Sequence, residues 1–157
     1  MVAWTERWLK LSLIGISENN MPLKVEVLIQ EINQWVQEFA PAKNEPELHH
    51  ELLVKLREEK NLCCLDRKAI DNPVGGVSEP DIQVIADDFI LVIEVKLTGD
   101  WRHVAEAAWQ LFQAKTLLDQ RPQTITALGV FGQSCQDPIL MEMLRRLSIE
   151  SVWAPWP

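Results

Sequence analysis

Positive charge is scarce in this chain: fifteen lysines and arginines stand against twenty-three aspartates and glutamates, a formal net charge of −8. Such a balance excludes a protein that grips nucleic acid through bulk charge, so any phosphate-handling site has to be local or helped by metal ions. Cysteine is sparse as well. The adjacent Cys63 and Cys64 and the distant Cys135 make neither a disulfide framework nor a C-x-x-C metal pattern, and free, mostly buried thiols are expected. No apolar run approaches the ~20 residues of a membrane helix, and the N-terminus lacks a basic-then-apolar leader, so a cytoplasmic location is expected. Apolar residues are plentiful: 47% hydrophobic content over 157 residues suits one domain with a sizeable core.

Residues 22–40 place Val25, Leu28, Ile29, Ile32, Trp35, Val36 and Phe39 at helical spacing, which predicts an amphipathic helix stopped by Pro41. A second helix is expected over residues 45–60, with Asn44 as its N-cap and Glu47 in the capping-box position. Strands are expected over 62–70, 81–86 and 89–97, with a loop rich in turn formers over 71–79. A helix over 101–120, a buried strand over 125–132, a short helix in "DPILMEMLRRL" and a last strand in "IESVWAP" complete the chain. That order belongs to an α/β or α+β layered domain. Residues 1–44 read as an N-terminal helical extension and residues 45–157 as the core of a single compact domain; Met21 follows the polar "SENN", so the first 20 residues read as an appendage.

The stretch "EPDIQVIADDFILVIEVKL", residues 79–97, carries the chemistry. If "ADDF" is a tight turn with Asp87 and Asp88 at its tip, Ala86 faces Phe89, and the same register sets Asp81 opposite Glu94. Directly opposed strand residues have Cβ atoms about 4.5–5.5 Å apart, where like charges destabilise a sheet. Alternation puts Ile90, Val92, Glu94 and Lys96 on one face of the third strand and Phe89, Leu91, Ile93, Val95 and Leu97 on the other. Both faces are apolar until the strand's end, the pattern of a central strand covered on both sides, so repulsion between the acids acts at low dielectric. Positive charge is required between them. Lys96 supplies part of it, and a divalent cation such as Mg²⁺ supplies the rest. A simpler reading makes Asp81 an ordinary strand-entry residue and Glu94–Lys96 a surface ion pair, which leaves the opposed acids unexplained.

"PD" at residues 80–81 followed by "EVK" at 94–96 resembles the PD-(D/E)xK nuclease superfamily, the restriction-endonuclease-like fold, and the element order matches over residues 45–132. The resemblance implies an α/β core with a mixed central sheet flanked by helices, and hydrolysis of phosphodiester bonds, most simply of DNA, with Mg²⁺ or Mn²⁺ as cofactor. It also implies that Asp81, Glu94 and the Val95 carbonyl hold the metal, and that Lys96 assists the attacking water. Members often add an acid from the first core helix, and Glu51 is preferred to Glu47 for that place. In the RecB-like branch a histidine lies on that helix, which "HH" at 49–50 could supply through His50. That branch also has a glutamine and a tyrosine on the helix after the lysine strand. Gln110 matches the glutamine and is carried as a catalytic candidate, but Ala114 stands at the tyrosine's place and the chain has no tyrosine at all.

Basic residues available to a nucleic-acid backbone are scattered: Arg67, Lys68, Arg102, Lys115, Arg145 and Arg146. Trp4, Trp8, Trp35, Trp153 and Trp156 lie in the terminal segments, where they either cover the sheet within one chain or form an interface, and a homodimer through these tryptophan-rich segments is kept as an expectation. Two rival functions stay open: a catalytically inactive relative acting as a protein-interaction module, and an α/β domain whose acids hold a structural cation.

Overall fold

The computed structural model describes residues 22–75 and 77–157 and shows the expected hairpin register, with Ile82 paired to Ile93, Gln83 to Val92, Val84 to Leu91 and Ile85 to Ile90. One step further along, Asp81 stands opposite Glu94. Five strands lie side by side in chain order: β1 (Cys63–Asp66), β2 (Ile82–Ile85), β3 (Phe89–Lys96), β4 (Thr124–Phe131) and β5 (Ile149–Trp153). The first three form an antiparallel meander, and β3, β4 and β5 run parallel. Parallel neighbours need a crossover. Helix α3 (Trp101–Leu118) connects β3 to β4, and helix α4 (Pro138–Arg146) connects β4 to β5. Helices α1 (Val25–Glu38) and α2 (Glu45–Val54) precede the sheet. The fold is α/β, a mixed central sheet flanked by helices.

All eight residues of β3 are buried. Phe89, Leu91, Ile93 and Val95 pack with Leu28, Ile32, Trp35 and Val36 of α1 and Leu48, Leu52 and Leu53 of α2. Ile90 and Val92 pack on the other side with Val104, Ala107, Ala108 and Leu111 of α3 and Leu140 and Leu144 of α4. A strand so enclosed fixes the polar residues at its end by packing, since shifting it by one residue would turn every apolar side chain to the wrong layer. Helix α1 is tied to the C-terminal end as well: Gln37 Nε2 donates to the Trp153 carbonyl (2.7 Å) and Trp156 Nε1 donates to the Phe39 carbonyl (3.2 Å).

Three expectations need correction. The first strand ends at Asp66 instead of running to residue 70, because Arg67 takes a left-handed backbone (φ 46°) that turns the chain out of the sheet. The second helix is α-helical only to Val54 and finishes in a π-helical turn, Lys55–Glu59, with Leu56 fully buried. The tryptophans expected at an interface are largely spent within the chain. Trp35 and Trp156 are buried in the α1/α2 core and Trp153 stacks on Phe131, with ring centroids 4.2 Å apart, while Trp4 and Trp8 lie outside the described residues. The dimer expected through these segments therefore loses three of its five anchors.

Asn44 caps α2 as expected, its Oδ1 accepting from the Glu47 N–H (2.9 Å). Asn44→Ala is expected to cost about 1 kcal/mol and to lower the melting temperature by roughly 2–4 °C in a calorimetric scan.

Candidate functional site

Asp81 and Glu94 meet where β2 begins and β3 nears its end. The Val95 N–H donates to Asp81 Oδ2 (2.8 Å), and the Asp81 N–H points at Glu94 Oε2 at a longer 3.4 Å. Each carboxylate thus takes a backbone amide from the opposite strand, beyond the last ladder pair. Strand residues direct N–H and C=O to the same side, so the Val95 carbonyl also faces the Asp81 side of β3.

Glu94 is 3% exposed and Lys96 6%. Burial pushes the Glu94 carboxyl up to about 8, and the neighbouring Asp81 charge pushes the same way; the Lys96 ammonium and the Asp81 amide pull it down without compensating. The carboxylate pair is therefore short of positive charge. Lys96 Nζ lies 3.7 Å from Glu94 Oε1 and 3.6 Å from Glu106 Oε1 on α3, too far from either for a tight hydrogen bond. Its ammonium is held between two acids and committed to neither. The ion pair of Lys96 with Glu94 is real but buried, which a surface pair would not be.

The structure brings Asp81, Glu94, Val95 and Lys96 together. Glu51 on α2 has a buried Oε2 with no hydrogen-bond partner, and the charge of Glu45 at the first turn of α2 adds slightly to the upward push on the Glu94 carboxyl. Among the described residues no three His, Cys, Asp or Glu side chains form a group able to hold a metal ion, so a cation here would rest on two carboxylates, backbone oxygen and water. Gln110 sits on α3 one turn beyond Glu106, with its Oε1 buried and unpartnered.

Of the two adjacent histidines, the one turned inward is His49. It is 5% exposed, its Nε2 is 2.9 Å from Asp66 Oδ1, and its Nδ1 is 3.7 Å from Asp81 Oδ1. His50 faces solvent. A signal for this was present: Leu53 lies four residues after His49 and Leu52 three, so His49 shares the apolar stripe of α2. Asp66 and Glu106 had no local signal, since each reaches the site across a different element. Arg67 joins the rim, its N–H donating to the Asp81 carbonyl (2.9 Å). Arg145 and Arg146 are engaged elsewhere, both bound to Glu142, whose carboxyl they hold down at about 2. No helix among the described residues is long and apolar enough to cross a membrane.

No protein-family model matches the chain, and no curated protein matches it. Among solved structures it is similar to the small subunit of the heterodimeric restriction endonuclease R.BspD6I, at 15% identity and a TM-score of 0.46 over 68% of this chain and 60% of that one. It is similar also to a repair endonuclease from Pyrococcus abyssi, again at 15% identity and a TM-score of 0.46, over 75% of this chain and 50% of that one. The chain thus spans three fifths and half of the lengths of these proteins. Likeness at this level carries no functional argument, which rests on the geometry of residues 81, 94 and 96.

Proposed function

We propose that the chain is a metal-dependent nuclease that hydrolyses phosphodiester bonds of DNA. The observation that supports this reading best is the placement of Asp81 against Glu94 at the buried end of a hairpin, with Lys96 Nζ 3.7 Å from Glu94. The donor set suits Mg²⁺ or Mn²⁺: two carboxylates and the Val95 carbonyl are hard oxygen ligands, and the raised Glu94 carboxyl marks a place where added positive charge is stabilising. When bound, such an ion lowers the pKa of water and polarises a phosphoryl oxygen. Asp81 offers a carboxylate whose direction the Val95 amide fixes. Lys96 brings three N–H donors to orient the attacking water and to stabilise negative charge developing on the phosphate oxygens. Gln110 has an amide available for the scissile phosphate or its neighbours.

Calorimetric titration with Mg²⁺ or Mn²⁺ tests the reading. Wild type is expected to bind and Asp81→Ala to lose binding, with plasmid or single-stranded DNA cut in the presence of the ion and spared with chelator. Equal binding by the two proteins would remove Asp81 from the site. A second reading, an inactive relative that binds a partner protein, draws on Glu106 beside Lys96 and on the lack, among the described residues, of a third ligating side chain grouped with the pair. It forecasts no cleavage under any of these conditions.

A further inference from the structure

Helix α3 is apolar on two sides. Val104, Ala107, Ala108, Leu111, Ala114 and Leu118 are buried against the sheet, as a crossover helix requires. The opposite side carries Trp101, Trp109 and Phe112, exposed by 69%, 61% and 44%. Residues 101, 105, 109, 112 and 116 follow one another at helical spacing, so the three aromatics share one stripe. Trp109 and Phe112 have ring centroids 6.4 Å apart and planes within 24° of parallel. Folding gains nothing from leaving three large rings in water, and an exposed pair of neighbouring rings with a third two turns away on the same side of the helix is surface available for binding.

Charge around the stripe identifies the occupant. Helix α3 carries Arg102 and Lys115 against one acid, Glu106, in a chain whose total is −8. Glu106 is already turned to Lys96 (3.6 Å), while among the described residues neither Arg102 nor Lys115 forms an ion pair. Aromatic faces flanked by free cations suit a strand that offers flat bases and phosphates together, because every base presents a stacking face whatever its sequence. The stripe is also placed for the chemistry: Trp109 is one turn from Glu106, the residue that faces the candidate catalytic lysine.

We propose that Trp101, Trp109 and Phe112 form a stacking platform for unpaired bases, and that the substrate is nucleic acid with a single-stranded portion beside the scissile bond. The inference rests on the nuclease reading for its purpose, although the binding itself does not require cleavage. Stacking also explains how an acidic protein can hold a polyanion: each stacked base contributes affinity that needs no positive charge. In a continuous duplex the same faces are covered by neighbouring base pairs and are not available.

The test is fluorescence anisotropy in chelator with a labelled twenty-nucleotide oligothymidylate, and with a blunt duplex of the same length as the reference. Wild type is expected to prefer the single strand. The double variant Trp109→Ala, Phe112→Ala, both surface positions, is expected to weaken single-strand binding about five- to a hundredfold while leaving duplex binding unchanged. Trp109→Phe is expected to keep most of the affinity, since a ring remains. Unchanged single-strand binding by the double variant, at an unchanged melting temperature, would overturn the proposal. So would conversion of a dimer to a monomer by the same variant with no loss of single-strand affinity, which would make the stripe an interface between copies. The two readings fail separately. Stacking-dependent binding with no cleavage under any metal sinks the nuclease and keeps the platform; metal-dependent cleavage of duplex and single strand alike, untouched by the double variant, does the reverse.

Discussion

Lys96→Ala is expected to lose about 10²–10³-fold in single-turnover cleavage of a labelled DNA at saturating Mg²⁺, the scale of removing one group that stabilises transition-state charge. Lys96 is 6% exposed, and its ammonium is poised between Glu94 and Glu106 at 3.7 and 3.6 Å, bound tightly to neither, so its charge is available to a third group. The loss should therefore appear in the chemical step while metal binding and most DNA affinity remain. Lys96→Arg is expected to rescue poorly, because a guanidinium keeps the charge but has a different shape and holds its protons. A Lys96 that merely neutralised Glu94 would behave otherwise: arginine would substitute well, and alanine would cost stability alone. Undiminished cleavage by Lys96→Ala would place any activity elsewhere in the molecule.

Without divalent cations, Glu94→Gln is expected to be more stable than wild type at pH 8. Burial and the Asp81 charge hold the folded carboxyl at about 8, against an ordinary value of 4.5. Between those values the folded state keeps a proton that the unfolded state has released, so stability falls as pH rises through that window. The penalty is absent below about pH 4.5, complete above about pH 8, and of the order of a few kcal/mol. Glutamine cannot ionise and escapes it. The variant's melting temperature is expected to exceed that of wild type by roughly 5 °C or more at pH 8 and to show no such gain near pH 4. Mg²⁺ should narrow the gap by stabilising wild type through mass action. A variant less stable than wild type at pH 8 would show that the glutamate's own bonds outweigh its repulsion with Asp81.

The hairpin that carries the candidate site follows from residues close together in the chain. A tight turn at Asp87–Asp88 sets the pairing of residues only a few positions away, and the alternation from Phe89 to Lys96 assigns each side chain to a face, so Asp81 against Glu94 followed from local geometry. The burial of β3 on both faces was legible for the same reason, since neither side of that strand carries a charge before Glu94. The Asn44 cap needed only the spacing of two residues.

Tertiary structure decided which side chains from other elements complete the site. Helix α2 can be turned about its axis without changing any local rule, and only its packing against the sheet placed His49 inward and brought the charge of Glu45 to bear on Glu94. Glu106 reaches Lys96 because the crossover returns α3 over the end of β3, a contact set by the parallel pairing of β3 with β4. The tryptophans divide on the same ground. Trp35 and Trp156 are buried where α1 and the C-terminal segment meet, whereas Trp101 and Trp109 stay in water because the opposite face of α3 already fills the layer beneath them. Composition reports that such rings exist, but only packing decides which of them remain free to bind.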